Sequence, residues 1–197
     1  MPVLTRRLFV ALPTPPATRD ALVHWTCEWS GGGREWRWVQ PAGIHLTLRF
    51  YGDTPEERLG PLIDRLRAAA ADQPGFEIVA RGWGVFPSPS RPRVLWAGIT
   101  GDVEQLQLLA ERVEGDARAL GFDPEERRFH AHVTLARVGR PGARPRLPQR
   151  SDPGAPVFGP IAGRTLVLYQ SHLGPGGARY DPLLRARLGV GDDALDA

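Results

Sequence analysis

The tetrad His-x-Thr-Leu is written twice in this chain, in HLTLRF at residues 45–50 and in HVTLAR at 132–137. Each copy alternates apolar and polar residues in the period-2 manner of a half-buried strand. In the first, Leu46, Leu48 and Phe50 oppose His45, Thr47 and Arg49; in the second, Val133 and Leu135 oppose His132 and Thr134. Packing constrains the Leu and Val positions but gives no reason for His and Thr to recur in the same frame on the other face. With five His in the whole chain, coincidence is a poor account. The repeat predicts two similar units whose tetrad strands turn their polar faces to a shared cleft, each unit supplying one His and one Thr.

The remaining patterns fill in those units. Strands are predicted at 6–12, 36–39, 76–86, 94–100, 130–138 and 164–172, with a short final segment around Tyr180. Helices are predicted near 17–29, with Ala17, Ala21, Leu22, Trp25 and Trp29 on one face, after Gly52-Asp53-Thr54-Pro55, and at 102–120. FPSPSRPR reads as the turn between the strands 76–86 and 94–100, and VGRPGARPRLPQRSDPGAP as a loop without apolar period. Several neighbouring strands are joined by links too short for a parallel crossover. The expected class is therefore α+β: two pseudo-symmetric lobes of mainly antiparallel sheet with outer helices around a central cleft. At 197 residues, with 42% hydrophobic and 24% charged side chains, one bilobal domain spanning 1–197 can bury its own core.

Composition removes several chemistries. All 25 basic residues are Arg, so neither a P-loop Lys nor a Schiff-base Lys is available. The single Cys, Cys27, excludes an internal disulfide and any Cys-based zinc site, which makes the cytoplasm the expected compartment. The apolar run in RRLFVAL is too short for a signal segment or membrane span and is broken by Pro13, Pro15 and Pro16, so no membrane partner is expected. A net charge of +3 permits a polyanionic partner without demanding one.

Two His and two Thr facing one cleft suit phosphodiester displacement. One proton must leave the attacking oxygen and another must reach the departing oxygen, on opposite sides of phosphorus. Imidazoles serve both roles because an ordinary pKa near 6.5 lets one be neutral while the other is protonated. The Thr hydroxyls, two residues along the same strand face, can donate to non-bridging phosphate oxygens. No step requires a metal or cofactor.

With its flanking segments RLFVAL, GWGVFPSPSRPRVLWAG, LGFDPEERRFHAHVTLAR and LYQSHLGPGGARYDPL, the tetrad pair resembles the HxTx signature of the 2H phosphoesterases. Within them it is similar, over nearly the whole chain, to the bacterial and archaeal RNA 2′,3′-cyclic phosphodiesterases, also called 2′-5′ RNA ligases. The resemblance implies a bilobal fold and metal-independent hydrolysis of RNA 2′,3′-cyclic phosphate ends to 2′-phosphomonoesters, with reversible 2′-5′ joining of RNA ends in some members. By position it implies His45 as proton donor, His132 as proton acceptor, and Thr47, Thr134 and Arg137 as phosphate ligands, with no metal and no cofactor. Short or tRNA-type RNA ends are the implied partner, met by a monomer. Two points depart from the pattern. Ala131 stands where the second motif is expected to carry Pro, and simple alternation puts Arg137 on the face opposite His132, so its role requires a bulge or the strand's end.

Other readings remain open on the residues alone. The motif fits a hydrolase of small cyclic nucleotides as well, and the chain could be a non-catalytic module for single-stranded RNA. His130 and His132 have the spacing of two metal ligands. His24 reads as an ordinary helix residue and His172 as a surface group near a strand end. Trp36-Arg37-Trp38 offers either base stacking with a phosphate contact or a Trp for the core. Arg140, Arg144, Arg146 and Arg150 form either a solvated linker or an RNA-backbone contact.

Overall fold

The computed structural model describes residues 4–29, 35–140, 142–143, 145–148, 155–174 and 177–189. Arg144 and Arg150 of the Arg-rich loop lie outside them. The elements run β1 (Thr5–Pro13), α1 (Pro16–Trp29), β2 (Trp36–Trp38), β3 (His45–Pro55), α2 (Leu59–Asp72), β4 (Phe76–Ser88), β5 (Arg91–Gly101), α3 (Val103–Ala119), β6 (His132–Val138), β7 (Val157–Gly163), β8 (Thr165–Gly174) and β9 (Gly177–Arg187). The class is mixed α+β, and every strand pairing among the described residues is antiparallel.

The strands form one sheet in the order β7-β4-β5-β6-β3-β1-β8-β9, with β2 paired to β6 off this path. The two tetrad strands, β3 and β6, are neighbours at its middle, with three further strands outward on either side of the pair. Leu46, Val133, Leu95, Ala97, Val10 and Leu12 are fully buried on one face of this centre, where they join Leu106, Leu109 and Val113 of α3 and Leu62 and Leu66 of α2 in the core. Helix α1 follows β1 but docks on the far edge. Thr18 Oγ1 donates to the Pro160 carbonyl at 2.7 Å, and Trp25 meets Phe158 edge-on at 5.5 Å. No helix among the described residues is long and apolar enough to cross a membrane.

Several boundaries differ from the sequence expectation. Gly52-Asp53-Thr54-Pro55 does not cap a helix: β3 runs through it, because Thr5 to Leu8 of β1 supply ladder partners as far as Pro55. Helix α2 starts only at Leu59. The turn in FPSPSRPR shrinks to Pro89 and Ser90, since β4 and β5 stay paired out to Ser88 and Arg91. Strand β7 was not foreseen, because Gly159 and Pro160 interrupt its apolar pattern. The segment around Tyr180 is a full strand of 11 residues, β9, paired along β8. Among the described side chains of α1 the buried ones are Thr18 and Leu22, while Ala17 is exposed.

Arg49 and Phe50 exchange the sides that alternation assigns them. Arg49 is buried at 6% exposure, ion-paired with Glu114 of α3 and donating to the Asp123 carbonyl at 2.6 Å, whereas Phe50 is 55% exposed. The cause is a bulge: Ala11 pairs with Thr47 and Val10 with Arg49, so Leu48 has no opposite number and the alternation resets after it. Removing Arg49 takes the partner from a Glu114 carboxylate that keeps 28% exposure and the donor from the Asp123 carbonyl, and it empties a packed site. Arg49→Ala should therefore lower unfolding free energy by about 2–3 kcal/mol, below the cost of breaking a fully buried pair, with Arg49→Met milder because it retains the packed stem. Urea titration measures both, and a loss no larger than that of a surface Arg would contradict the buried-pair account.

Candidate active site

The bulge that exposes Phe50 recurs in the second tetrad. Trp96 of β5 pairs with Thr134 and Leu95 with Ala136, which leaves Leu135 unopposed. Both repeats thus bulge at the Leu of His-x-Thr-Leu, and their first six residues share one burial sequence: partial, buried, partial, buried, buried, exposed. The repeat seen in the letters extends to the backbone. Its sixth position falls on Phe50 in one strand and Arg137 in the other. The bulge thereby returns Arg137 to the face of His132 and Thr134, which unbroken alternation would forbid.

β3 and β6 meet through Leu46 opposite Val133. Antiparallel sense then sets His45 on the Thr134 side and Thr47 on the His132 side, so the two His are diagonal neighbours on one face. An ideal ladder separates such neighbours by roughly 7–8 Å, a span suited to a phosphate between two imidazoles. Arg37 of β2 lies directly opposite Arg137 and is exposed like it, adding a second guanidinium to this face. Trp36 and Trp38 take the other side: Trp36 is buried, donating from Nε1 to the Arg146 carbonyl at 3.1 Å, and Trp38 packs on the core. The core alternative for this triplet is the observed one for its Trp residues.

Each His sits among aromatic rings. His45 stacks on Phe9 at 4.8 Å and Tyr169 at 6.0 Å between ring centroids and meets Tyr180 edge-on at 5.3 Å. Loss of hydration pushes its pKa down to about 4. His132 meets Phe86 edge-on at 5.2 Å and Trp96 at 6.4 Å. Its Nδ1 lies 2.7 Å from the His130 carbonyl, which can only accept, so Nδ1 carries the proton and Nε2 keeps its lone pair. Burial lowers the His132 pKa foremost; the His130 hydrogen bond opposes this, while the charges of His130 and Arg137 add to it.

The sequence did not point to Phe9, Phe86, Trp96 or Tyr169, which wall in the imidazoles. Their strand positions were visible, but which strands flank the tetrads depends on long-range pairing. His130 lies just ahead of β6 rather than within it, its ring against Trp96 at 5.0 Å. Among the described residues no group of three or more His, Cys, Asp or Glu is arranged to hold a metal ion. His24 is an exposed helix residue 3.4 Å from Glu28. His172 faces Asp181 at 3.0 Å, and alternation along β8 turns it away from Tyr169.

A family model described as LigT-like phosphoesterase matches residues 12–96 and 99–180, a span that includes both tetrads. A curated Aeropyrum pernix protein named RNA 2′,3′-cyclic phosphodiesterase is 37% identical over 120 residues, 61% of this chain and 63% of that relative, so this match spans slightly under two thirds of its length. A protein of the same name from Archaeoglobus fulgidus is 35% identical over 181 residues, covering 90% of this chain and 97% of its own. The solved structure of Escherichia coli LigT complexed with 3′-AMP superposes with a TM-score of 0.78 at 28% identity, over 93% of this chain and 98% of that one.

The packing around the imidazoles has a titration signature. By NMR of the ring C–H protons, His45 of the ligand-free protein should titrate near pH 4 and His132 below 6.5. The unfolded chain binds the extra proton at His45 between about pH 6.5 and 4 and the folded chain does not, so stability should fall as pH drops through that window, by up to ~1.4 kcal/mol per pH unit. A free-protein His45 titrating at 6.5 or above would contradict the aromatic enclosure.

Proposed function

The chain belongs to the LigT-like phosphoesterase family, and from that premise we propose that it opens the 2′,3′-cyclic phosphate of RNA ends to a 2′-phosphomonoester. The observation that carries this reading is the placement of both tetrads on one sheet face across the Leu46–Val133 pair, with matched bulges that add Arg137. The residues 1–197 act as one bilobal unit, since each half of the sheet supplies one imidazole. The acting unit in this proposal is a monomer.

The chemistry follows from the protonation states. His132, with its Nδ1 proton engaged and its Nε2 lone pair available, accepts a proton from water as the water oxygen bonds to phosphorus. The bond from phosphorus to the 3′ oxygen breaks, and His45 delivers a proton to that oxygen. One water is consumed; the product carries a 2′-phosphate and a 3′-hydroxyl, and proton exchange between solvent and the two rings restores the start. Thr47 and Thr134 donate to the non-bridging oxygens, and Arg137 pairs with the phosphate charge. The 5′-hydroxyl of a second RNA end, replacing water, forms a 2′-5′ linkage by the same two proton transfers.

His45 starts neutral in the free protein, so its role as donor needs the substrate. A phosphodiester anion set between poorly hydrated imidazoles favours their charged forms and raises both pKa values. The basic limb of kcat should consequently lie at higher pH than the basic limb of kcat/KM, because the first reports the complex and the second the free enzyme.

His45→Ala and His132→Ala are each expected to slow hydrolysis of a short RNA ending in 2′,3′-cyclic phosphate by roughly 100-fold or more. Thr47→Ala and Thr134→Ala should cost less. Activity should persist in EDTA, and phosphorus NMR should identify a 2′-phosphate product. Near-normal turnover in either folded His variant would overturn the proposal, as would activity abolished by EDTA and restored by zinc. A predominant 3′-phosphate would reverse the assigned orientation of the ribose.

A further inference from the structure

A pocket of about 540 Å³ opens beside His132. Its lining adjoins the candidate site through strand pairing and chain neighbours. Gly98, part of its lining, is the ladder partner of His132, and Trp96, another part, is the partner of Thr134. His130, whose carbonyl holds His132, forms a third side.

The lining has the composition of a nucleotide subsite. Arg81 and Arg128 are exposed guanidiniums, neither forms an ion pair among the described residues, and no carboxylate shares the lining. Trp96, Phe129 and His130 bring aromatic rings to the lining, and Gln107, whose amide nitrogen donates to Glu111 at 2.8 Å, keeps its carbonyl oxygen as an acceptor. The Nε1 of Trp96 is buried without an acceptor among the described residues. The volume falls within the roughly 300–1,000 Å³ typical of small-molecule sites.

Two glycines shape this space. The indole of Trp96 lies across Gly84, where a Cβ would come 2.2 Å from the ring, so the strand surface there accepts a flat aromatic group only because the side chain is missing. At Gly98 a Cβ would meet the Arg81 carbonyl at 2.7 Å. Both glycines thus let β4, β5 and the Trp96 ring pack closely on the side of the pocket that faces His132.

We infer that this pocket holds the nucleotide that precedes the cyclic-phosphate terminus of an RNA, its base against Trp96 and Phe129 and its linking phosphate on Arg81 and Arg128. The assignment rests on the reading of the site as an RNA-end phosphodiesterase and names what that reading leaves open. The preferred substrate is an oligonucleotide end rather than a mononucleoside cyclic phosphate.

The test compares two hydrolysis-inert product analogues by titration calorimetry: adenosine 2′-phosphate and the dinucleotide ApA bearing the same terminal 2′-phosphate. The wild type should bind the dinucleotide about tenfold or more tightly, the order expected of one stacked base. Arg81→Ala/Arg128→Ala, which alters only exposed side chains, should erase that gain and leave the mononucleotide affinity within about twofold. Equal wild-type affinity for the two ligands overturns the assignment, and so does a folded double variant that keeps the full gain. Binding is read apart from turnover, so the two proposals fail separately. A dinucleotide gain in a protein that hydrolyses neither cyclic phosphate sinks the catalytic proposal and leaves the pocket; hydrolysis without the gain sinks the pocket and leaves the catalysis.

Discussion

One bridge, Leu46 opposite Val133, joins the two halves of the sheet through their tetrad strands. β3 is paired along its length to β1, while β6 turns its last residues, Ala136 to Val138, to β2. Both bridging side chains are fully buried. A slip of one residue at this point would turn Leu46 or Val133 out of the core and carry a His and a Thr inward, where neither finds a partner. The hydrophobic demand of the core thus fixes the mutual placement of four polar side chains that the core itself does not use.

The paired bulges extend that control past the tetrads. In a regular strand, position six of each repeat would point to the core together with positions two and four. The extra residue at Leu48 and at Leu135 buries position five instead and exposes position six. The halves then diverge in what they place there. Position five is Arg49, anchored to α3 through Glu114, in one half, and Ala136 in the other; position six is Phe50 in one and Arg137 in the other. A common backbone device thereby offers an aromatic ring on one side of the site and a cation on the opposite side.

Much of this was readable in the letters, and the unread parts share a cause. Period-2 alternation located the tetrad strands, helices α1, α2 and α3 followed from their apolar stripes, and short connections implied the antiparallel class. For Arg137 to share the face of His132, alternation requires a bulge or the strand's end, and a bulge is present at Leu135. What stayed hidden depends on pairing between distant segments. A bulge is a mismatch between two strands and cannot be seen in one of them, so Arg49 and Phe50 were assigned to each other's faces. Strand β7 carries Gly159 and Pro160 yet is held by its ladder to β4. The rings around the imidazoles come from β1, β4, β5, β8 and β9, and their convergence is a property of strand order alone.

A duplicated strand answers the symmetry of in-line displacement, which needs a proton site on either side of phosphorus, but identical sites would not distinguish attack from departure. The surroundings of the two imidazoles supply the difference. His132 has one ring nitrogen committed to the His130 carbonyl, and beside burial the Arg137 guanidinium disfavours its protonated form. His45 has aromatic rings about it and loses its proton through burial alone. An arriving phosphate anion favours the charged form of both rings, and the Arg137 charge works against it at His132. In the proposed reaction the two proton sites therefore differ through the cation that the β6 half of the sheet carries beside its imidazole.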